Sequence, residues 1–245
     1  MKDLLDACKE KHFKMGNTNF IYDGIINQEL YDKCPVKILF IFREGYYDEN
    51  DYSGRKSYMP WLEYIDKKAH CFRCTECLKN APKTWMMWKK MESITDHLLR
   101  DLSVPVGESK PIEYSAFIDL KKSRETYSDY EPDNNNTYTN DLSRILKYAK
   151  NDSELIKKQI SIINPDIIIC SGTYEICCQA SILGNDEYIY EFDSGIRGIK
   201  SLRRQVFTFD GIAKTVWVAD IWHLSASISP KTISSEISKK IIDNT

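Results

Sequence analysis

The chain has 245 residues, with 34 lysines and arginines against 36 acidic residues, so its formal net charge at pH 7 is −2. This balance excludes a globally basic nucleic-acid-binding protein, and any contact with DNA or RNA has to use a local cluster of cations. No apolar run approaches the roughly 20 residues that span a bilayer. The charged N-terminal residues do not resemble a secretory signal, and we expect a cytoplasmic protein without membrane contacts.

The first half of the chain contains one strong strand signal and one strong helix signal. Residues 1–34 combine helix-like spacing with an irregular stretch, which predicts an N-terminal helical cover. The apolar run 36–42 is typical of a parallel strand that is buried on both faces. Residues 46–82 are rich in cysteine and aromatic residues and indicate an insertion, and the amphipathic pattern at 85–102 predicts a helix.

The second half alternates apolar runs with amphipathic or polar segments. Residues 123–140 are polar and rich in turn formers, so we expect a surface loop there, followed by one helix that continues to about residue 163. A last helix is predicted after Pro230. The remaining strands are predicted at 114–120, 167–170, 205–209 and 214–219.

This alternation predicts a three-layer α/β/α sandwich with a mostly parallel central sheet. We find no linker or internal repeat, so residues 1–245 are expected to form a single domain. In such sheets the functional site lies in the loops beyond the carboxyl ends of the strands. Three polar segments occupy that position, at 43–58, 119–138 and 223–230.

Common catalytic motifs are missing from the sequence. It contains no phosphate-binding loop, no dinucleotide-binding glycine motif and no nucleophile elbow. Of the four histidines, only His223 follows the carboxyl end of a predicted buried strand, inside a short turn that is rich in hydroxyl groups. It is therefore the strongest single candidate for chemistry.

Residues 42–46 (FREGY) stand directly after a predicted strand, and residues 222–227 (WHLSAS) contain the candidate histidine. These two segments resemble the first and second motifs of the uracil-DNA glycosylase superfamily, and two further segments are similar to other parts of that family. Residues 117–122 resemble the strand that ends in a base-reading Asn. Residues 163–172 resemble the strand that precedes the last third of the fold, and the four segments occur in the family's order.

The resemblance implies a monofunctional DNA N-glycosylase, a hydrolase that flips a base out of the helix and cleaves its glycosidic bond. Glu44 stands where the family has its water-activating Asp or Asn, and His223 where the family has the histidine that hydrogen-bonds the leaving base. Tyr46 matches the tyrosine that blocks the methyl group of thymine. No lysine stands at a motif position to form a Schiff base.

Because the sequence departs from the family pattern, the resemblance does not determine which base is removed. Asp119 replaces the base-reading Asn, and a carboxylate accepts hydrogen bonds without donating any unless it is protonated. That exchange favours a base edge with an amino group over uracil, so uracil and a modified base both remain possible targets, in DNA repair or in phage defence. The other candidate substrate contacts lie within the two motifs and are Arg43, Gly45 and Ser225.

Contacts with DNA, the expected partner of a monomeric enzyme, are predicted near the site. Lys121 and Lys122 supply local positive charge, as do the basic residues between 197 and 204. Ser227 stands where the family places a leucine that wedges into the duplex, and Ile228 beside it is the apolar candidate for that role.

A cysteine cluster lies in the insertion. Cys71, Cys74 and Cys77 have a spacing that suits a metal site, with His70 or Cys34 as a possible fourth ligand. Zinc fits better than an iron–sulfur cluster, and free thiols are the alternative. The chemistry implied by the resemblance requires no cofactor.

Two other functions remain open from the sequence. The first is a catalytically silent nucleic-acid-binding or sensor protein on the same fold. The second is an unrelated α/β enzyme that acts on a nucleotide-like small molecule. Structurally, Glu44 is also compatible with capping a helix, and Asp119 with a surface ion pair to its neighbouring lysines.

Overall fold

The computed structural model describes residues 2–14, 23–43, 83–122, 138–184, 187–191, 196–209, 211–224 and 226–244. Within these residues, seven helices are interspersed with seven strands. The helices are α1 (Lys2–Lys14), α2 (Gln28–Lys33), α3 (Lys83–Asp101), α4 (Tyr138–Asn151), α5 (Ser153–Ile163), α6 (Tyr174–Gln179) and α7 (Pro230–Ile242). The strands are β1 (Gly24–Ile25), β2 (Ile38–Phe42), β3 (Ser115–Asp119), β4 (Ile167–Ser171), β5 (Glu187–Glu191), β6 (Ile199–Phe209) and β7 (Ile212–Ile221).

The strands form one sheet in the order β1-β3-β2-β4-β7-β6-β5. The four central strands β3, β2, β4 and β7 run parallel to one another, whereas β1, β6 and β5 pair antiparallel with their neighbours. Every residue of β2, β3 and β4 is buried, because helices cover both faces of this central part. The predicted α/β class is confirmed, with a parallel centre and antiparallel flanks.

Two hydrophobic cores lie on opposite faces of the sheet. One face packs against α3 and α7, with Phe40 and Phe42 of β2 at its centre. The other face packs against α4, α5 and α6 and includes Leu39 and Ile41 of the same strand. Because successive side chains of a strand point to opposite faces, β2 contributes to both cores and separates the two helical layers.

Several boundaries differ from those expected. The single helix expected up to about residue 163 is two helices, α4 and α5, which meet at Asp152. The strands expected at 205–209 and 214–219 are longer, since β6 and β7 form a hairpin whose outer positions are partly exposed. The sequence did not predict the additional residues of β6 and β7 because many of them are polar. Polar side chains are tolerated on a strand face that is exposed to solvent.

The N-terminal region is more than a helical cover. Besides α1 and α2 it supplies β1, whose Gly24 and Ile25 pair with β3 at the edge of the sheet. None of the helices in the described part of the chain is long and apolar enough to cross a membrane.

Candidate active site at the carboxyl ends of the parallel strands

The strand order predicts a crevice between the carboxyl ends of β2 and β4. These strands are parallel neighbours, but the chain continues from β2 to β3 on one side and from β4 to β5, at the far edge of the sheet, on the other. Connections that diverge in this way open a gap above the sheet, and ligands of open α/β sheets bind there. Arg43 follows β2, Gly172 follows β4, and His223 follows β7, so three chain segments converge on this gap.

Arg43, Gly172 and His223 lie in close contact. The Arg43 guanidinium donates a hydrogen bond from Nε to the Gly172 carbonyl oxygen at 3.1 Å. Gly172 has φ +66°, and a Cβ added there would meet Arg43 Nη2 at 3.2 Å and the His223 backbone nitrogen at 3.3 Å. Glycine permits both this backbone conformation and the close approach of the two side chains.

Hydrogen bonds from two sides fix the turn that contains His223. Ser171 at the end of β4 accepts the Leu224 N–H on its Oγ at 2.9 Å. From the helical layer that covers the sheet, Lys90 of α3 donates from Nζ to the Leu224 carbonyl oxygen at 2.8 Å and also to the Ala226 carbonyl oxygen. The histidine backbone is therefore anchored to the sheet and to a helix at once, which limits the positions that its imidazole can take.

The environment of His223 keeps its imidazole neutral. Burial, followed by the positive charges of Arg43 and Lys90, lowers the pKa of His223 from 6.5 to about 4. Partial burial also lowers the pKa of the Lys90 ammonium group. At neutral pH the imidazole thus carries no charge and offers one N–H donor, while the two neighbouring cations favour negative charge on a bound group.

Asp119 ends β3 and lies beside the same crevice. It pairs with Phe42 across the sheet, and two residues later the Lys121 N–H donates to the Arg43 carbonyl oxygen at 3.0 Å. Asp119 is only 5% exposed, and its backbone N–H donates to Asp23 Oδ2 at 2.7 Å. The structure thereby brings Arg43, Asp119 and His223 to one edge of the sheet, as the sequence predicted.

Other predicted site residues lie outside the described part of the chain, and their predicted roles rest on the sequence alone. These residues are Glu44, Gly45, Tyr46, Cys71, Cys74, Cys77 and Ser225.

Lys121 and Lys122 are not surface cations. They are 1% and 0% exposed, because Lys122 forms a buried ion pair with Asp23 Oδ2 and Lys121 lies 5.0 Å from the centre of the Tyr148 ring. In these positions neither ammonium group can reach a DNA phosphate. The predicted DNA contact is wrong at both residues, and Asp119 is itself buried, so it lies beneath the surface where its ion pair was considered.

Ile228 does not form an exposed wedge either. It is 8% exposed and belongs to the hydrophobic core on the α3 and α7 face. Its side chain fills the space above Gly198, where an added Cβ would lie 2.6 Å from Ile228 Cγ2. Its neighbour Ser227 is exposed, as the predicted DNA contact requires.

Only part of the basic segment 197–204 lies at this end of the sheet. Arg197 and Lys200 flank the start of β6, next to the carboxyl end of β7. Arg203 lies 4.6 Å from the Tyr174 ring centre, and Arg204 lies 5.3 Å from the Trp217 ring centre, further down the sheet. The cationic surface near the crevice is therefore smaller than the sequence indicated.

Sequence reasoning assigned no role to Lys90, Gly172 or Trp222. Trp222, directly before His223, is 39% exposed, and the Arg197 guanidinium lies 5.9 Å from its ring centre. The sequence could have indicated a role for Trp222, because this large aromatic residue directly precedes the candidate histidine. Lys90 gave no signal, because its partners lie more than 130 residues away.

No family model, curated protein or solved structure matches the chain. The superfamily resemblance thus depends on the four sequence segments. Among the described residues, the group whose geometry suits a metal ion consists of Cys8, His12 and Asp152, none of which is a predicted site residue.

Proposed function

We propose that this crevice hydrolyses the N-glycosidic bond of a base flipped out of DNA, in the manner that the resemblance to uracil-DNA glycosylases implies. The observation that supports it most is the neutral His223 imidazole, located between two cations beyond the end of a buried parallel strand. A neutral N–H donor in a partly buried cationic site is suited to stabilising a departing anion. The histidine of the family's second motif has that role.

The reaction needs two functions from the protein. Water forms a bond to C1′ of the sugar while the bond from C1′ to the base breaks, and the base leaves with the bonding electron pair. Negative charge then grows on the base, where the His223 N–H and the fields of Arg43 and Lys90 act on it. The base later takes up a proton, and Glu44, directly after Arg43, is the predicted residue for orienting the water.

Asp119 supports recognition of a base that presents an amino group. Its position at the end of β3, the strand that pairs with β2 before Arg43, supports a role at the edge of the proposed base pocket. An ionised carboxylate accepts a hydrogen bond from an exocyclic amino group but repels a carbonyl oxygen. We therefore favour an amino-bearing or modified base over uracil, and Tyr46 remains the predicted residue for excluding bulk at the base edge.

Trp222 and Arg197 supply a surface for nucleic acid next to the crevice. The exposed indole ring offers a stacking face for an unpaired base, and the guanidinium above it can meet a phosphate. With Ser227 exposed on the same turn, these residues replace the buried lysines as the proposed contacts with DNA.

The test is excision of a base from defined DNA. Duplexes that contain uracil, hypoxanthine or a hypermodified cytosine are incubated with the protein and then assayed for abasic sites. We expect excision from at least one duplex and a loss of about 10²–10³-fold in His223→Ala, as when one transition-state donor is removed. Glu44→Gln is expected to abolish activity, while His97→Ala on α3 serves as the matched histidine control.

Two outcomes contradict the proposal. Excision that persists in His223→Ala assigns the chemistry elsewhere, and DNA binding without excision of any base favours the catalytically silent reading. The burial of Lys121 and Lys122 favours a second candidate, an enzyme that acts on free nucleosides or nucleotides, because it removes two predicted DNA contacts. Cleavage of free nucleosides in the same assay, without excision from DNA, supports that candidate instead.

A further inference from the structure

Three potential metal ligands meet where α1 faces the junction of α4 and α5. Their donor atoms are the Cys8 thiol sulfur, an imidazole nitrogen of His12 and a carboxylate oxygen of Asp152, all within 4.8 Å of one another. We propose that these residues bind Zn²⁺ or a similar divalent metal ion, which connects α1 to the junction of α4 and α5. Sulfur, imidazole nitrogen and carboxylate oxygen are the ligands that zinc takes in proteins.

Helix geometry preorganises two of the three ligands. Cys8 and His12 are four residues apart in α1 and therefore lie on the same face of the helix, one turn from each other. Both side chains face inward, since Cys8 is 6% exposed and His12 is 1% exposed. Asp152 reaches them from the other side of the interface, so the ion would bridge two elements that are 140 residues apart.

The position of Asp152 supports the proposal independently. It precedes α5 as the N-cap residue, where an aspartate commonly accepts a hydrogen bond from the first helical turn, yet its side chain makes no such bond. Instead Oδ2 lies 3.0 Å from His12 Nε2. Oδ1 accepts no hydrogen bond from the described residues although Asp152 is only 2% exposed. A metal ligand bond at this carboxylate would offset that desolvation.

Charge balance also suits a divalent ion. One thiolate and one carboxylate neutralise a doubly charged cation, so the bound site adds no net charge to the buried interface. Lys11 is the competing cation, with Nζ 3.6 Å from Asp152 Oδ1. Its side chain is 55% exposed and can turn into solvent, which leaves room for a water molecule as the fourth ligand.

Cobalt(II) provides the test, because a thiolate ligand gives it a charge-transfer absorption band. The background is the full chain with Cys71→Ser, Cys74→Ser and Cys77→Ser, so that the other cysteine cluster cannot contribute. We expect the band to saturate at about one Co²⁺ per chain and to vanish in Cys8→Ser. Asp152→Asn is expected to weaken binding about tenfold or more, and Cys178→Ser serves as the matched cysteine control.

Thermal unfolding keeps the test decisive if Cys8→Ser does not fold. Zn²⁺ should raise the midpoint of unfolding in the background protein by mass action and should raise it less in Asp152→Asn at the same Zn²⁺ concentration. The proposal is overturned by a background protein that shows neither the band nor the shift. It is also overturned by a band that persists in Cys8→Ser.

Discussion

His12 is buried and His223 is partly buried, and charges of opposite sign lie beside them. His12 lies under α1 with its Nε2 3.0 Å from the Asp152 carboxylate. His223 lies at the crevice with the cations Arg43 and Lys90 as its charged neighbours. A carboxylate beside an imidazole makes a place for a cation, whereas two cations beside an imidazole make a place for an anion. The sign of the neighbours therefore separates the two histidines more clearly than burial does.

The two regions also differ in how their charges are paired. Close to α1, Asp23 accepts hydrogen bonds on both carboxylate oxygens, from Lys122, the Asp119 backbone and Gln159. At the crevice, Arg43 and Lys90 donate to backbone carbonyl oxygens, which reduce their positive charge far less than a carboxylate would. The first arrangement joins chain segments through a buried carboxylate, whereas the second holds two cations against backbone carbonyl oxygens at the end of the sheet.

The largest effect is expected at the Asp23–Lys122 pair. Asp23→Asn leaves the fully buried Lys122 ammonium group without its counter-charge, which should cost about 3–5 kcal/mol of unfolding free energy. Urea denaturation of the native and variant proteins measures this loss. Adding Lys122→Met should recover part of it, since the unpaired charge is then gone. A variant as stable as the native protein would mean that the pair does not join these segments.

The next effect concerns the stability of the protein in acid. Because the pKa of His223 is about 4 in the folded protein and 6.5 when exposed, the unfolded chain binds more protons between these pH values. The stability this provides is complete above about pH 6.5 and falls as the pH drops to about 4, by about 3 kcal/mol in total. His223→Gln should remove this contribution.

Urea denaturation of the native protein and His223→Gln at about pH 7 and about pH 4.5 measures the difference. Carboxylates titrate in both proteins, so the difference between their pH dependences isolates His223. Equal pH dependences would mean that burial and the two cations do not lower the pKa of this imidazole in the folded protein.

A smaller effect is expected for the surface beside the crevice. Trp222→Ala removes the exposed indole and should weaken binding of single-stranded DNA by about 1–3 kcal/mol, the usual contribution of one stacked base. Fluorescence anisotropy with a labelled oligonucleotide measures the affinity. Ile212→Ala is the matched control, because Ile212 is also exposed but lies at the opposite end of β7. Equal losses in both variants would remove Trp222 from the proposed DNA contact.

Local sequence patterns predicted the centre of the fold well. The apolar runs that became β2, β3 and β4 are buried on both faces, and such strands need no knowledge of their neighbours to be recognised. Their parallel order follows from the intervening helices. The position of Arg43, Asp119 and His223 at one edge was then predictable, since parallel strands end on the same side.

Contacts between distant segments were not predictable in the same way. Two adjacent lysines after a strand indicate a polar surface, and the burial of Lys122 depends on Asp23, which lies 99 residues earlier. Ile228 looked like an exposed apolar residue in a polar loop, but it packs over Gly198, whose lack of a side chain leaves the necessary space. Each error involves a partner that no local pattern identifies.

The smallest expected effect tests whether Lys90 belongs to the crevice. Lys90→Met removes the ammonium group that holds the Leu224 and Ala226 carbonyl oxygens, at a cost of about 1–2 kcal/mol for hydrogen bonds from a charged donor. It also removes one of the two cations that disfavour protonation of His223, so the pKa of His223 should rise from about 4. NMR titration of the imidazole measures this shift.

Lys89→Met is the matched control for this measurement, because it removes an equal charge from the adjacent position of α3. A rise in the pKa of His223 that occurs in Lys90→Met and not in Lys89→Met shows that the field of Lys90 is local and acts through the anchored turn. An equal rise in both variants would show that the overall charge of the helix sets the environment of His223. The contrast between His12 and His223 would then depend on long-range charge and not on their immediate neighbours.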